Sequence, residues 1–288
     1  MSNRLAVLPQ HLLPKRALTE LAGTFANMRG GALTQALIRR FVDHYGVDMS
    51  EAAEPDIGRY ATFNEFFTRP LRAGVRPIAD ASFVCPVDAA ISQFGPIEHD
   101  QIFQAKGHSY STRALLGGDQ TLAHRFEHGH FATLYLAPRD YHRIHMPCEG
   151  RLLRMMYIPG ALFSVNPLTA RHVPSLFARN ERVVCVFETP FGLFVNVLVG
   201  ATIVGSIATV WHGVVNAPRR REVREWQYAD QNIVLAKGAE MGRFLLGSTV
   251  VMLFPKNVVT FVPNWAPSRA VRLGEAMAAA LGPGPARY

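Results

Sequence analysis

The stretch TPFGLFVNVLVGATIVGSIATVW, Thr189–Trp211, carries no formal charge across 23 residues. Its reading decides the fold. A run of that length could cross a bilayer as one helix. Its texture points elsewhere. Asn196, Thr202, Ser206 and Thr209 interrupt the apolar run, and Gly192, Gly200 and Gly205 punctuate it. Val, Ile and Thr dominate, and these β-branched residues suit pleated strands. The stretch predicts two buried strands with a glycine turn between them.

The surroundings share this texture. Short β-type runs (Arg151–Tyr157, Val183–Glu188, Leu193–Val199, Val250–Phe254) alternate with Gly and Pro from about residue 82 onward. Such spacing predicts a β-rich core. The N-terminal part differs. Leu18, Leu21, Ala22 and Phe25, then Leu33, Ala36, Leu37 and Phe41, recur at helical spacing, with Gly30 and Gly31 dividing them. Thr62 and Glu65 form a capping-box pattern ahead of a short helix. The expected class is α+β: a β-rich core with N-terminal amphipathic helices.

Composition narrows the partner. The 288 residues are 49% hydrophobic and only 18% charged, with a net charge of +8. This excludes a disordered chain, which would be apolar-poor and charge-rich. A basic excess at low charge density suits an anionic membrane surface better than a nucleic-acid groove. Within residues 1–42, six cations (Arg4, Lys15, Arg16, Arg29, Arg39, Arg40) face one acid, Glu20. The helices there either pack on the domain or lie on anionic lipid, and one face for each would reconcile the two. Three cysteines without a CxxC pair predict a reducing compartment and no disulfide framework. No signal-peptide pattern opens the sequence, and no phosphate-binding glycine motif occurs.

Three constellations could carry chemistry. In LAPRDYHRIHMP, Leu136–Pro147, His142 and His145 stand three apart between two prolines. They could be a catalytic pair, a metal pair or packed structural histidines. In a strand they would face opposite ways, so one shared pocket needs a helical or irregular segment. In CPVDAA, Cys85–Ala90, Asp88 is an isolated acid in an apolar run. It is a turn residue or a partner for a histidine, because an unpaired buried carboxylate is costly. His124, His128 and His130 have metal-like spacing but few matching acids. The third constellation is KGAEMGRFLLGSTV, Lys237–Val250, where Gly247-Ser248-Thr249 alone reads only as a turn before a strand.

Taken together, these residues resemble the phosphatidylserine decarboxylases. LGST at 246–249 is similar to that family's self-processing motif, YHRIHMP at 141–147 to its paired-histidine motif and PVDAAIS at 86–92 to its acidic motif. FNEFFTRPLR at 63–72, KGHSYS at 106–111 and PGALFSVNP at 159–167 also look like family signatures, in preserved order. The resemblance implies a barrel-sandwich-like form for the β-rich core, with residues 1–50 as membrane-associating helices and 51–288 as a catalytic domain, and a proenzyme cut between Gly247 and Ser248 into residues 1–247 and 248–288. It implies a covalent pyruvoyl group made from Ser248, which decarboxylates phosphatidylserine through a Schiff base to give phosphatidylethanolamine and CO2. By the same resemblance His145, oriented by Asp88, is the base for cleavage, and His142 serves proton transfer in decarboxylation. Phe163 and Ser164 are weaker candidates for headgroup contact. A homodimer, peripheral on the cytoplasmic face of the membrane with no transmembrane helix, no metal and no nucleic acid, completes the expectation. A metal-dependent hydrolase and a non-catalytic membrane module are the rival readings.

Overall fold

A computed structural model describes residues 10, 14–202, 206–245 and 248–282. The Leu246-Gly247 pair, where the expected cut falls, and the side chain of Ser248 lie outside the described residues. The nine strands that position the site are β1 (Ala89–Pro96), β2 (His130–Leu136), β3 (Arg143–His145), β4 (Gly150–Ile158), β5 (Arg182–Thr189), β6 (Gly192–Val199), β7 (Ser206–Thr209), β8 (Glu240–Leu245) and β9 (Ser248–Phe254). The helices that matter are α1 (Lys15–Asn27), α2 (Ala32–Tyr45) and α3 (Phe63–Phe67).

The large sheet runs β4-β5-β6-β9-β2-β1, every pair antiparallel. Its edges are Arg224–Gln227 beside β4 and Ala270–Val271 beside β1. It does not close, so the β-rich core holds but is not a closed barrel. A smaller sheet, β7-β8-β3, continues from Gly213–Val214.

Both faces of the large sheet are buried. Along β9, Val250, Met252 and Phe254 enter one core, while Val251 and Leu253 enter another. On β5, Val183, Cys185 and Phe187 alternate with Val184 and Val186 in the same way. A strand buried on both sides reads as a continuous apolar run. That is why Thr189–Trp211 carries no charge. It contains β6, the turn after it and β7, with Ile203–Gly205 outside the described residues. Among the described residues no helix is long and apolar enough to cross a membrane. The β5–β6 turn is tight: Thr189 pairs with Gly192, whose φ of 109° suits a residue without a Cβ.

The N-terminal helices form where the periodicity predicts them, but their apolar stripe is turned outward. Leu21 is 57% exposed, Phe25 60%, Leu33 77% and Leu37 52%. The buried positions are Thr19 and Ala26 on α1, and Thr34 and Ile38 on α2. Ala26 and Ile38 join Tyr60, Phe63, Phe66 and Phe67 in a third, aromatic cluster around α3. The Thr62 hydroxyl accepts from the Glu65 amide at 3.0 Å, and the Glu65 carboxylate reaches back to the Ala61 amide at 2.9 Å. Two otherwise unpaired donors at the start of α3 are thereby satisfied.

Gly242 shows how tightly the small sheet is built. A Cβ there would lie 2.5 Å from the Ala208 carbonyl oxygen on β7. Gly242→Ala should therefore push β8 from β7 and cost about 1–3 kcal/mol. Urea denaturation checks this, and an unchanged midpoint would contradict the close approach.

Candidate active site

The strand register brings the sequence constellations together. Ser248, the first residue of β9, pairs with Leu136, the last residue of β2. The chain then turns through Ala137–Tyr141, closed by the Asp140 carboxylate accepting from the Ala137 amide at 2.7 Å. His142 follows, and its carbonyl accepts from the Phe244 amide at 3.0 Å. The segment between Leu136 and His142 thus runs from the start of β9 to the end of β8. It is held on one side by β9 and on the other by β8.

His142 is fully buried and its ring lies 4.1 Å from that of Phe67. Nδ1 is 2.7 Å from the Asp140 carbonyl. A carbonyl only accepts, so Nδ1 carries the hydrogen and Nε2 keeps its lone pair. Among the described residues Nε2 has no partner. Burial pushes the His142 pKa down to about 3, with the Arg69 charge adding to the effect. The imidazole is neutral at physiological pH.

His145 is arranged alike. Nδ1 faces the Gly238 carbonyl at 2.9 Å, and Nε2 is 3.1 Å from the Tyr141 hydroxyl. The carbonyl sets the tautomer, so Nε2 accepts from Tyr141. Burial lowers its pKa as well. The irregular segment before β3 allows two histidines three apart to flank one site.

Asp88 is placed differently from the expectation. Its carboxylate accepts a paired contact from Arg76, Nε at 3.0 Å and Nη2 at 2.6 Å, and also accepts the Leu273 amide at 2.8 Å. It does not hold the His145 ring, which Gly238 orients. The two segments still adjoin, since the His145 amide donates to the Pro86 carbonyl at 2.9 Å. Asp88 acts on His145 through its field, which favours the imidazolium. Arg76 also pairs with Glu51 at 2.5 Å. Burial pulls the Arg76 pKa down, but these two carboxylates more than reverse it. Arg143 and Arg243 share Glu240, at 2.8 and 2.7 Å.

Phe163 and Ser164 lie under the N-terminal segment. The Ser164 amide donates to the Gln10 side chain at 3.0 Å, and the Lys15 ammonium sits 3.4 Å from the Phe163 ring centroid. Sequence reasoning missed Tyr141, Arg76 and Gly238, whose roles depend on contacts between distant segments. It also missed a cavity of about 290 Å³ between α1 and the core, walled by Thr19, Gly23, Asn27, Asn64, Ser206 and Leu245. Asn64 Oδ1 is buried there without a donor. Elsewhere, the His124 ring meets Glu127 at 2.7 Å, and the Arg219–Arg221 run begins with a guanidinium buried against Glu181 at 3.2 Å. Among the described residues no group of three or more His, Cys, Asp or Glu side chains is placed to hold a metal ion.

The depressed His142 pKa has a consequence for stability. Below pH 6.5 the unfolded chain binds a proton that the folded chain refuses, so stability falls as pH drops from about 6.5 toward 3. Between pH 7 and pH 5 this amounts to about 2 kcal/mol. In a Ser248→Ala background, His142→Gln should lose about that much less stability over the same interval. Denaturant unfolding at the two pH values measures it, and identical losses would contradict a buried neutral ring.

A family model described as phosphatidylserine decarboxylase matches residues 63–279, and a second, described as PSD, matches residues 5–46. The chain is 70% identical to the phosphatidylserine decarboxylase proenzyme of Dechloromonas aromatica, covering 96% of this chain and 98% of that one. It is 71% identical to the proenzyme of the same name from Variovorax paradoxus, with the same coverage, and 70% identical to that of Acidovorax ebreus. The site built from β2, β3, β8 and β9 is therefore that of a family member: the chain belongs to the phosphatidylserine decarboxylase family.

Proposed function

We propose that this protein is a self-processing decarboxylase that converts phosphatidylserine to phosphatidylethanolamine and CO2. One observation carries the reading. The start of β9 and the end of β8 are both pinned to the segment bearing two neutral histidines, His142 buried and His145 half-buried. The bond between residues 247 and 248 joins those two strands.

Cleavage needs a base, since a serine hydroxyl is a weak nucleophile until deprotonated. His145 takes the Ser248 proton at Nε2 once Tyr141 releases that lone pair. The Ser248 oxygen attacks the Gly247 carbonyl carbon, and the peptide nitrogen leaves it, giving an ester. Gly247 offers no side chain to hinder the approach. Loss of the Ser248 α-proton then expels the Gly247 carboxylate with the former hydroxyl oxygen. The remaining dehydroalanine tautomerises, takes up one water and releases ammonia, leaving pyruvoyl at position 248.

The surroundings fit such a group. They are buried, and they hold a neutral imidazole nitrogen with no partner among the described residues. The pyruvoyl carbonyl supplies an electron sink for the charge left by departing CO2. His142 Nε2, the ring's acceptor, takes a proton from the substrate ammonium and returns it to the former α-carbon. Phe67 covers its ring and keeps water out. Asp88 and Arg76 fix the segment before β1 against Leu273, so the His145 backbone keeps its place beside Pro86. The headgroup enters through the cavity between α1 and Leu245.

The outward apolar stripe of α1 and α2, with Arg29, Arg39 and Arg40 also exposed, suits an anionic bilayer surface. Each such cation adds roughly 1 kcal/mol near anionic lipid. We place the enzyme as a peripheral protein on the cytoplasmic face.

Denaturing mass spectrometry should find residues 1–247 and a pyruvoyl-blocked 248–288 fragment, and Ser248→Ala should leave one chain. His145→Ala should slow cleavage, and His142→Ala should permit cleavage yet lower decarboxylation, each by at least ~100-fold. A cut, active Ser248→Ala protein would sink the reading. For the membrane surface, replacing Leu21, Phe25, Leu33 and Leu37 with Gln should abolish sedimentation with phosphatidylglycerol vesicles. Unchanged sedimentation would remove these helices as the docking face.

A further inference from the structure

Arg69 has no task in the chemistry above. It is 4% exposed, and its guanidinium carbon lies 5.2 Å from the Phe66 ring centroid. One terminal nitrogen reaches the Phe66 carbonyl at a long 3.4 Å, and Nε has no partner among the described residues. No described carboxylate is within ion-pair distance of it. The nearby acids are engaged: Asp88 and Glu51 by Arg76, and the second oxygen of Glu51 by Arg272 at 3.1 Å. Three guanidiniums stand against two carboxylates. A buried cation without a counter-anion is costly, and an unsatisfied buried donor in a native fold needs an explanation.

A second unpartnered atom is close by. Phe67, two residues before Arg69, covers the His142 ring, and the Arg69 charge acts on that ring. Among the described residues His142 Nε2 is a buried acceptor without a donor. One orphan is a cationic donor and the other a neutral acceptor. This is the complement of an α-amino acid, whose carboxylate suits a guanidinium fork and whose amine N–H suits an imidazole lone pair.

We propose that Arg69 reads the carboxylate of the substrate headgroup while His142 Nε2 receives its amine N–H, the two forming a subsite for an α-amino-acid headgroup. The inference rests on the proposed decarboxylase reading and names how that site selects its substrate. Arg69 and His142 do not line the cavity themselves; its wall includes Asn64, five residues before Arg69, and Leu245, next to Phe244, whose amide bonds the His142 carbonyl. Substrate supplies the missing anion. The product, which lacks the carboxylate, leaves Arg69 unpaired again and is held less tightly.

The test uses self-cleaved enzyme acting on phosphatidylserine in neutral detergent micelles, with glycerophosphoserine and glycerophosphoethanolamine as competitors. Both competitors carry the phosphodiester, so their ratio isolates the carboxylate. Wild-type enzyme should favour the serine form at least tenfold, and Arg69→Met should narrow the preference to within twofold. Removing Arg69 strands no bonded carboxylate, so the variant should fold, and self-cleavage reports that it has. If Arg69→Met does not accumulate, Arg69→Lys keeps the charge but loses the fork, and should lower the preference severalfold. A tenfold preference retained in Arg69→Met, or an undiminished one in Arg69→Lys, would overturn the proposal, as would equal weakening of both competitors. Wild-type enzyme that leaves phosphatidylserine unreacted would instead refute the function on which it rests.

Discussion

The constraint on which the structure depends is the two-sided ladder of β9. From Thr249 to Leu253 this strand is bonded to β6 on one side and β2 on the other, and both its faces are buried. Its first residue is where the proposed scission falls. Cutting the backbone there leaves the ladder from Thr249 to Leu253 in place on both sides, which holds the new terminus in register near Leu136. A strand at a sheet edge would fray from such a terminus, whereas a central one is clamped along its length. A group made from residue 248 is therefore held by the same pairing that positioned its precursor.

Around this strand the protein keeps two imidazoles neutral. Burial does most of it, and carbonyls from Asp140 and Gly238 decide which nitrogen carries the hydrogen. Neighbouring guanidiniums reinforce neutrality, Arg69 at His142 and Arg143 at His145. Asp140 shows the opposite response to the same burial, its carboxyl being pushed up to about 6. A low-dielectric pocket disfavours charge of either sign, so it keeps bases unprotonated and draws acids toward protonation. That is the state in which serine activation and proton return can both proceed near neutral pH.

The N-terminal helices illustrate a conflict between pattern and packing. From sequence their apolar stripe could face the core or a lipid surface, and the core takes the narrower face with Thr19, Ala26, Thr34 and Ile38. Small residues let α1 approach the domain closely and leave a polar-walled cavity beneath it. Leu21, Phe25, Leu33 and Leu37 are then left exposed, while Phe41 packs on the aromatic cluster. Periodicity identifies a helix with one apolar side, but it does not say which apolar surface that side meets.

Much was determined by the sequence alone. The strands around Leu193–Val199 and Val250–Phe254, the two helices divided by Gly30-Gly31, the cap at Thr62 and the Asp88, His142, His145 and Ser248 set are all local patterns or motifs. The strands, helices and cap follow from backbone propensity and side-chain period, whereas the four site residues are picked out by the resemblance to a family's motifs. Only the tertiary structure decided which groups touch. Asp88 meets Arg76 and Leu273 rather than His145, Gly238 orients a ring 93 residues away in the chain, and Arg69 is left buried without an anion. Hydrogen-bond partners and desolvation depend on which distant segments the sheet register brings together, and no local pattern carries that information.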